Sequence, residues 1–285
     1  MTAIVTWNVQ ACRGVDGVVD PERIARVIRS MGPVDVVCLQ EISCNDPEGG
    51  GNAPADQVEA LAELFPEFEV HFGAAIDRAG ERDGPRWRFG NLILTRASAL
   101  QAFRHSLPEP ADGDNKHMPR QATEIVIAEG DRALRVMTTH LDYHSPANRE
   151  AQIDRLREMQ AQVSANHRMP PPDPGRGTFA AVPRPASLVL CGDFNFVAGD
   201  GHYRRLLSPG EDDASSLRDA WSACRGDVPN DPTCGVFDSD QWPGGPHCRD
   251  FLFVTADVAR CIRSIDVDLD TDASDHQPIR LDLDW

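Results

Sequence analysis

Ser187 to Asn195 reads SLVLCGDFN. It is a fully apolar strand that runs straight into two polar side chains, Asp193 and Asn195. Residues two apart in an extended chain point to the same side. With Phe194 still extended, Asp193 and Asn195 face one place together while Phe194 packs the other way. A buried strand that ends in a carboxylate and an amide presents chemistry at a sheet edge.

Other apolar strands also end in polar residues. The run Ala3–Asn8 delivers Asn8, and DVVCLQE (Asp35–Glu41) ends at Glu41. Strands are expected at Phe68–Gly73, Asn91–Arg96, Ala122–Ala128 and Leu134–His140, with a turn at Gly130–Asp131 between the last two. His140 ends the last of them, RDFLFV begins with Arg249 and Asp250, and Asp275–His276 sit in the loop before the final strand. Asp20 and Pro21 open a helix that carries Ile24, Val27, Ile28 and Met31 and stops at Gly32–Pro33. Asp56 caps a second helix, and Ser145–Pro146 start a third with Ile153, Leu156, Met159 and Val163 on one face. A short helix is expected over Asp213–Ala223. The segments Ser43–Ala55, Asp77–Phe89, Phe103–Gln121, Met169–Pro185 and Arg225–His247 read as loops. Alternating strands and helices, followed by strand-rich hairpins, indicate an α/β (α+β) layered fold with mixed sheets.

The chain has 285 residues, 41% hydrophobic and 26% charged, ordinary values for a globular protein. We read it as a single domain, residues 1–285. No window is long and apolar enough for a membrane span, and no leader-like segment precedes the first strand. The expectation is a cytoplasmic protein with reduced thiols. Cys38 and Cys191 lie in apolar strand runs and read as core residues. Cys224, Cys234 and Cys248 fall in a loop-rich region where they could bridge or bind metal, but no CxxC pair is present. The net charge of −17 lacks the overall positive field that non-specific binding of a long polyanion uses.

A single Asp, Asn or His at a strand end is an everyday turn or cap residue. The set Asn8, Glu41, His140, Asp193, Asn195, Asp250, Asp275 and His276 is more than a collection of turns. Carboxylate and amide oxygens are the donors that a hard cation such as Mg²⁺ takes beside substrate phosphate.

In order, the motifs are TWN (Thr6–Asn8), LQE (Leu39–Glu41), GNLILTR (Gly90–Arg96), THLD (Thr139–Asp142), GDFN (Gly192–Asn195), RDF (Arg249–Phe251) and SDH (Ser274–His276). This ordered set resembles the endonuclease/exonuclease/phosphatase superfamily, which includes deoxyribonucleases, abasic-site endonucleases, neutral sphingomyelinases and inositol-polyphosphate phosphatases. The match runs from Asn8 to His276. It implies a four-layer αββα sandwich of two mixed, mostly antiparallel sheets. It also implies a metal-dependent phosphoric ester hydrolase using Mg²⁺ or Mn²⁺. By motif, Glu41 would be the principal metal ligand, helped by Asn8 and Asp275. Asp193 would activate water, and Asn195 would contact the phosphate. His276, held by Asp250, would stabilise the transition state. His140 would be a second phosphate contact or a proton donor. Spacing adds one idea of our own: Asp142 shares a face with His140 and would orient it.

The chain departs from the family in having Phe251 where a Tyr is usual and Arg249 where an apolar residue is common. Arg249 would then be a substrate contact or a salt-bridge partner. Rival patterns are absent: there is no HxHxDH run, no GNHD block near GDFN, and no GxxxxGK loop followed by Ser or Thr. The leading expectation is a nuclease-like phosphodiesterase acting on DNA or RNA. The alternatives are a phosphatase, a phospholipid or small-molecule phosphodiesterase, and, from another class, a non-catalytic binding regulator on the same scaffold. Substrate contacts would come from the loops Ser43–Ala55, Asp77–Phe89, Phe103–Arg120 and Arg225–His247. Arg78, Arg82, Arg86, Trp87 and Arg88 would bind phosphate or stack a base, or form a solvated loop balanced by Asp77, Glu81 and Asp83, the reading slightly favoured. Lys116, His117 and Arg120 lie near the end of the third loop, and Arg149 after THLD would face the site or cap the surface.

Overall fold

The structure is a computed structural model that describes residues 1–47, 55–80, 84–130, 132–172 and 175–285. Strand β1 (Thr2–Asn8) is buried along its whole length. Its neighbour β2 (Val36–Cys44) runs parallel to it, with Asn8 beside Gln40. The first sheet adds β3 (Glu69–Arg78), β4 (Trp87–Thr95), β11 (Ile262–Val267) and β12 (Ile279–Leu283), in the order β11-β12-β1-β2-β4-β3. The second sheet holds β5 (Ala99–Ser106), β6 (Gln121–Glu129), β7 (Arg132–His140), β8 (Leu188–Asp193), β9 (Leu217–Asp219) and β10 (Asp250–Thr255), in the order β5-β6-β7-β8-β10-β9. Among the described residues only the two central pairs, β1–β2 and β7–β8, are parallel. Each sheet therefore brings two strand C-termini side by side at its middle.

Side-chain alternation along these strands builds three apolar layers. Ile4, Cys38, Ile93, Val136, Val189, Cys191, Leu252 and Leu281 fill the space between the sheets. The outer face of the first sheet, with Val5, Trp7, Val37 and Leu39, packs on α1 (Pro21–Ser30) and α2 (Gln57–Leu64) through Ile24, Ile28 and Leu61. The outer face of the second, with Met137, Leu190 and Phe253, packs on α3 (Pro146–Arg168) through Ile153, Leu156 and Met159. The result is helix, sheet, sheet, helix. The helix starts read from the sequence hold: Asp20, Asp56 and Ser145 each accept a backbone N–H of the first turn.

Several expected boundaries move, and each move has a local cause. Strand β2 does not end at Glu41. Glu41 adopts φ 61° inside a register shift between Leu39 and Ile42, and the strand resumes to Cys44. Strand β8 stops at Asp193, and Phe194 is not extended strand. Asn195 turns into the left-handed region at φ 53°, and its N–H bonds the Asp193 carboxylate at 2.9 Å. Asp77–Phe89 is not one loop. Its ends belong to the β3–β4 hairpin, where Arg86 pairs with Asp77 and Arg78 lies over Trp87. Glu81, Arg82 and Asp83 lie outside the described residues, as do Asp131 and residues 48–54. The first residues of Phe103–Gln121 are the end of β5, which leaves 107–120 as the connection to β6. In place of one helix over Asp213–Ala223 there is β9 followed by α5 (Ala220–Arg225). Two short helices, α4 (Gly201–Leu206) and α6 (Ala256–Ala259), and strand β11 were not anticipated.

Gly192, in the stretch quoted at the start, has φ 132°, and a Cβ there would lie 1.9 Å from the Thr139 carbonyl of β7. Only glycine lets β7 and β8 approach while turning Asp193 outward. Gly192→Ala is expected to destabilise the protein by about 2–4 kcal/mol, from the forbidden backbone region and the clash together. Urea unfolding would measure it, and a loss under about 0.5 kcal/mol would contradict this reading.

Candidate active site

The parallel centre of the second sheet sets one row of side chains. Register pairs His140 with Asp193 across β7–β8, and Asp193 with Asp250 across β8–β10. The first sheet delivers Asn8 and, at the β2 irregularity, Glu41 to the opposite side. The loop before β12 brings Asp275 and His276 between them. There the Trp7 indole N–H donates to the His276 carbonyl at 2.8 Å, and Ser274 bonds the Asn8 carbonyl at 2.8 Å. All eight side chains singled out by the sequence therefore meet at one end of the sandwich. Asn8, His140, Asp193, Asn195, Asp250, Asp275 and His276 are buried there, and Glu41 is partly exposed.

His276 Nδ1 lies 2.7 Å from Asp250 Oδ2, and that oxygen also accepts the Thr233 hydroxyl at 2.6 Å. Burial alone would keep the imidazole neutral, but Asp250, Asp193 and Asp275 push its pKa up to about 10. His276 is therefore an imidazolium at neutral pH. His140 is the reverse. Burial, Arg120 and the charged His276 hold its pKa well below the usual value, so it is neutral. Asn195 Nδ2 approaches His140 Nε2 at 3.0 Å and also donates to the Leu141 carbonyl at 3.0 Å. With the amide donating, the ring proton of His140 sits on Nδ1, which faces Glu41 Oε1 at 3.7 Å.

The acidic side is crowded. Burial and the nearby Asp275 carboxylate raise Glu41 to about 6. Burial, with Asp250 next in effect, raises Asp193, and burial raises Asp275. Glu41, Asp193, Asp250 and Asp275 thus face one small volume with His276 as the close cation, and this donor set suits a hard divalent ion. Asp193, Asp250 and His276 also offer ligand atoms within 4.8 Å of one another, a buried cluster that could hold a metal ion. In that cluster the Asp250–His276 pair is already engaged by its own short hydrogen bond. Asn8 spans the two sides through its amide nitrogen, 3.0 Å from Glu41 Oε1 and 3.1 Å from Asp193 Oδ2, while Asn8 Oδ1 accepts the Gln10 N–H.

These groups open into a pocket of about 570 Å³. Lys116, His117, Met118 and Arg120, from the connection before β6, form one stretch of its wall, and Tyr143, His144, Gln241 and Trp242 also line it. Trp242 was not singled out in the sequence. It lies within the irregular 225–247 segment, its indole N–H donates to Asp275 at 3.3 Å, and its ring meets His276 edge-on at 5.6 Å. Thr233 was missed for the same reason, because no periodicity marks that segment.

The idea that Asp142 orients His140 is wrong. Asp142 Oδ1 accepts the N–H groups of His144 and Ser145 and fixes the turn into α3, and His140 Nδ1 has no bond to it. Arg149 donates to the carbonyls of Asp142 and Tyr143 and so braces the same turn. Arg249 forms no salt bridge among the described residues. Its Nε donates to His247 at 2.8 Å, one terminal nitrogen lies 3.5 Å from Asn195 Oδ1, and its guanidinium sits 5.4 Å from the Tyr143 ring and 5.0 Å from the Trp242 ring. Phe251 joins Phe194, Phe196, Phe253 and Tyr203 in an aromatic cluster behind the site. The eight cysteines are free thiols, and Cys234 packs on His247. No described helix is long and apolar enough to cross a membrane.

A family model described as the endonuclease/exonuclease/phosphatase family matches residues 5–276. Among solved structures, an endonuclease/exonuclease/phosphatase from Beutenbergia cavernae gives a TM-score of 0.71 at 22% identity, covering 99% of this chain and 71% of that one. A mannosyl-6-phosphatase from Bacteroides thetaiotaomicron gives 0.69 at 18% identity over 100% of both chains. A 3' phosphatase from Neisseria bound to a product DNA hairpin gives 0.61 at 17% identity, again over 100% of both. At these identities the likeness is one of fold. The comparison with curated proteins gives no match.

Proposed function

The chain belongs to the endonuclease/exonuclease/phosphatase family, and on that premise we propose that it is a single catalytic domain that hydrolyses a phosphoester, most simply a phosphodiester. The observation that carries this reading is the row His140–Asp193–Asp250, closed by His276 and facing Glu41 and Asp275 across one pocket.

In this reading Glu41 and Asp275 would hold a Mg²⁺ or Mn²⁺ ion. A half-turn of the Asn8 amide would bring its oxygen to the side where its nitrogen now lies. Such an ion, when bound, offsets the charge of a phosphate oxygen and eases departure of the leaving group. Asp193 takes the proton of the attacking water. Burial, and then the neighbouring Asp250 carboxylate, raise its basicity above that of an ordinary carboxylate, the direction a general base requires. The His276 imidazolium, oriented by Asp250 and Thr233, places fixed positive charge where the phosphorane becomes more negative. Asn195 would bind a phosphate oxygen by turning one amide N–H away from His140 or the Leu141 carbonyl, where both now lie. His140 is neutral and acts as a phosphate contact, because a proton donor would need the charge that burial and Arg120 remove.

The pocket volume favours a compact ester over a long strand, since about 300–1,000 Å³ is the range of small-ligand sites. The net charge of −17 points the same way. The test is a panel with Mg²⁺ or Mn²⁺: abasic and nicked DNA, single-stranded RNA, sphingomyelin and sugar phosphates. At least one is expected to be hydrolysed. Steep loss of affinity with salt would assign a nucleic acid, whereas flat salt dependence assigns a small ester. A folded protein that binds RNA or protein but cleaves nothing would favour the regulator reading instead.

A further inference from the structure

The hydrolytic reading leaves one pocket wall unused. Arg120 is 7% exposed and lines the pocket, yet its guanidinium makes no hydrogen bond or ion pair with any described residue, and its Nε is buried without a partner. Glu41, Asp142 and Asp193 attract it only through space. By contrast, the buried guanidinium of Arg135 sits 2.7 Å from Glu124. Burying a cation with its donors unmet is costly unless an anion completes it. Lys116 lies on the same wall. It is the only lysine in the sequence and has no ion pair among the described residues. His117 between them is already bonded to Glu109. In an acidic chain, two unpaired cations on one pocket wall constitute an anion subsite.

We propose that the substrate carries a second phosphate besides the one that is cut, and that Arg120 and Lys116 bind it. This rests on the hydrolase reading of the same pocket. The phosphate being cut is already served by His276, Asn195 and His140. A guanidinium with free terminal N–H groups matches two phosphate oxygens at once, and Lys116 adds a mobile point charge at the mouth. The second phosphate comes either from a compact bisphosphate or from the neighbouring linkage of an oligonucleotide.

Equilibrium binding tests the subsite without turnover. Asp193→Asn protein with Mg²⁺ is titrated by calorimetry with glucose 1,6-bisphosphate against glucose 6-phosphate. Thymidine 3',5'-bisphosphate is compared with thymidine 5'-monophosphate, and a six-residue oligothymidylate is added as a third probe. In at least one pair the bisphosphate is expected to bind roughly 10–100-fold more tightly, the scale of one charge-assisted contact. That ratio should collapse in Arg120→Gln and shrink in Lys116→Gln. Lys116 is exposed, so its variant keeps the test open if Arg120→Gln does not fold. Equal binding within every pair, or a ratio that survives both substitutions, overturns the subsite. Tightest binding by the oligothymidylate with steep salt dependence assigns the second phosphate to a nucleic-acid strand; tightest binding by a bisphosphate assigns a compact molecule. A wild-type protein that cleaves nothing but shows the ratio would fail the hydrolase reading alone. A hydrolase without the ratio would fail the subsite alone.

Discussion

Asp193→Asn is expected to lower kcat for phosphoester hydrolysis roughly 10²–10⁴-fold, the scale of a lost general base. The change is nearly isosteric, and the amide oxygen it introduces can still accept the Asn195 N–H that the carboxylate accepts now. What is lost is the capacity to take a proton, together with one of two acceptors, since Asn8 also donates to Asp193. The effect should therefore fall on kcat far more than on KM. His276→Ala is expected to cost a comparable factor for a different reason. It removes the imidazolium beside Asp193, Asp250 and Asp275 and leaves their charge uncompensated. Steady-state kinetics on both variants, with circular dichroism to confirm folding, makes the test. Asp193→Asn activity within about threefold of wild type, far short of the loss of a general base, would remove Asp193 from the chemistry.

The largest effect on stability is expected far from the pocket. Glu124 on β6 is fully buried. It accepts from Arg135 at 2.7 Å, from Arg184 at 2.8 and 3.0 Å, and lies 2.9 Å from His105. Burial alone would raise its pKa, but His105, Arg184 and Arg135 hold it far below the usual carboxylate range. Glu124→Gln leaves the buried Arg135 without its counter-charge, a break that costs about 3–5 kcal/mol. Because the folded-state pKa is depressed, the contribution is fully present above the unfolded pKa of about 4.3 and is lost as pH falls through the folded value. Urea unfolding should therefore show the full gap between wild type and variant at about pH 7 and a shrinking gap below about pH 4. A constant gap from about pH 7 to about pH 3 would show that the loss comes from packing rather than charge.

The two layers of sheet and the polar strand ends were legible because buried strands are continuous apolar runs, as in Leu188–Cys191 and Val36–Leu39. Helix starts at Asp20, Asp56 and Ser145 were legible because capping is local chemistry. Strand β5 was not, because ALQAFRHS is half-exposed and pairs at a sheet edge, so it lacks an apolar signature. The backbone turns at Glu41 and Asn195 were hidden for another reason. Left-handed φ at a non-glycine residue is imposed by tertiary bonds, here the β2 register shift and the Asp193–Asn195 contact. Asp193 and Asn195 do line one pocket, but a turn brings them together rather than the alternation of a strand. Asp142 misled because its spacing from His140 fits a strand, whereas the chain turns after His140 to start α3. Trp242 gave no signal because its contacts are to Asp275 and His276, distant in sequence, and Arg120 stood out only as a residue near the end of a loop, since its burial in the pocket comes from the fold.

The most direct measurement is release of p-nitrophenol from bis-p-nitrophenyl phosphate and p-nitrophenyl phosphate by the purified protein. It is followed with Mg²⁺ or Mn²⁺, then after EDTA, then after the metal is restored. The expected result is turnover of at least one ester that disappears with EDTA, returns with the metal, and is lost in Glu41→Gln at metal concentrations that saturate wild type. Turnover that persists in EDTA, or that Glu41→Gln leaves unchanged, would contradict the assignment of this pocket as a metal-dependent phosphoesterase site.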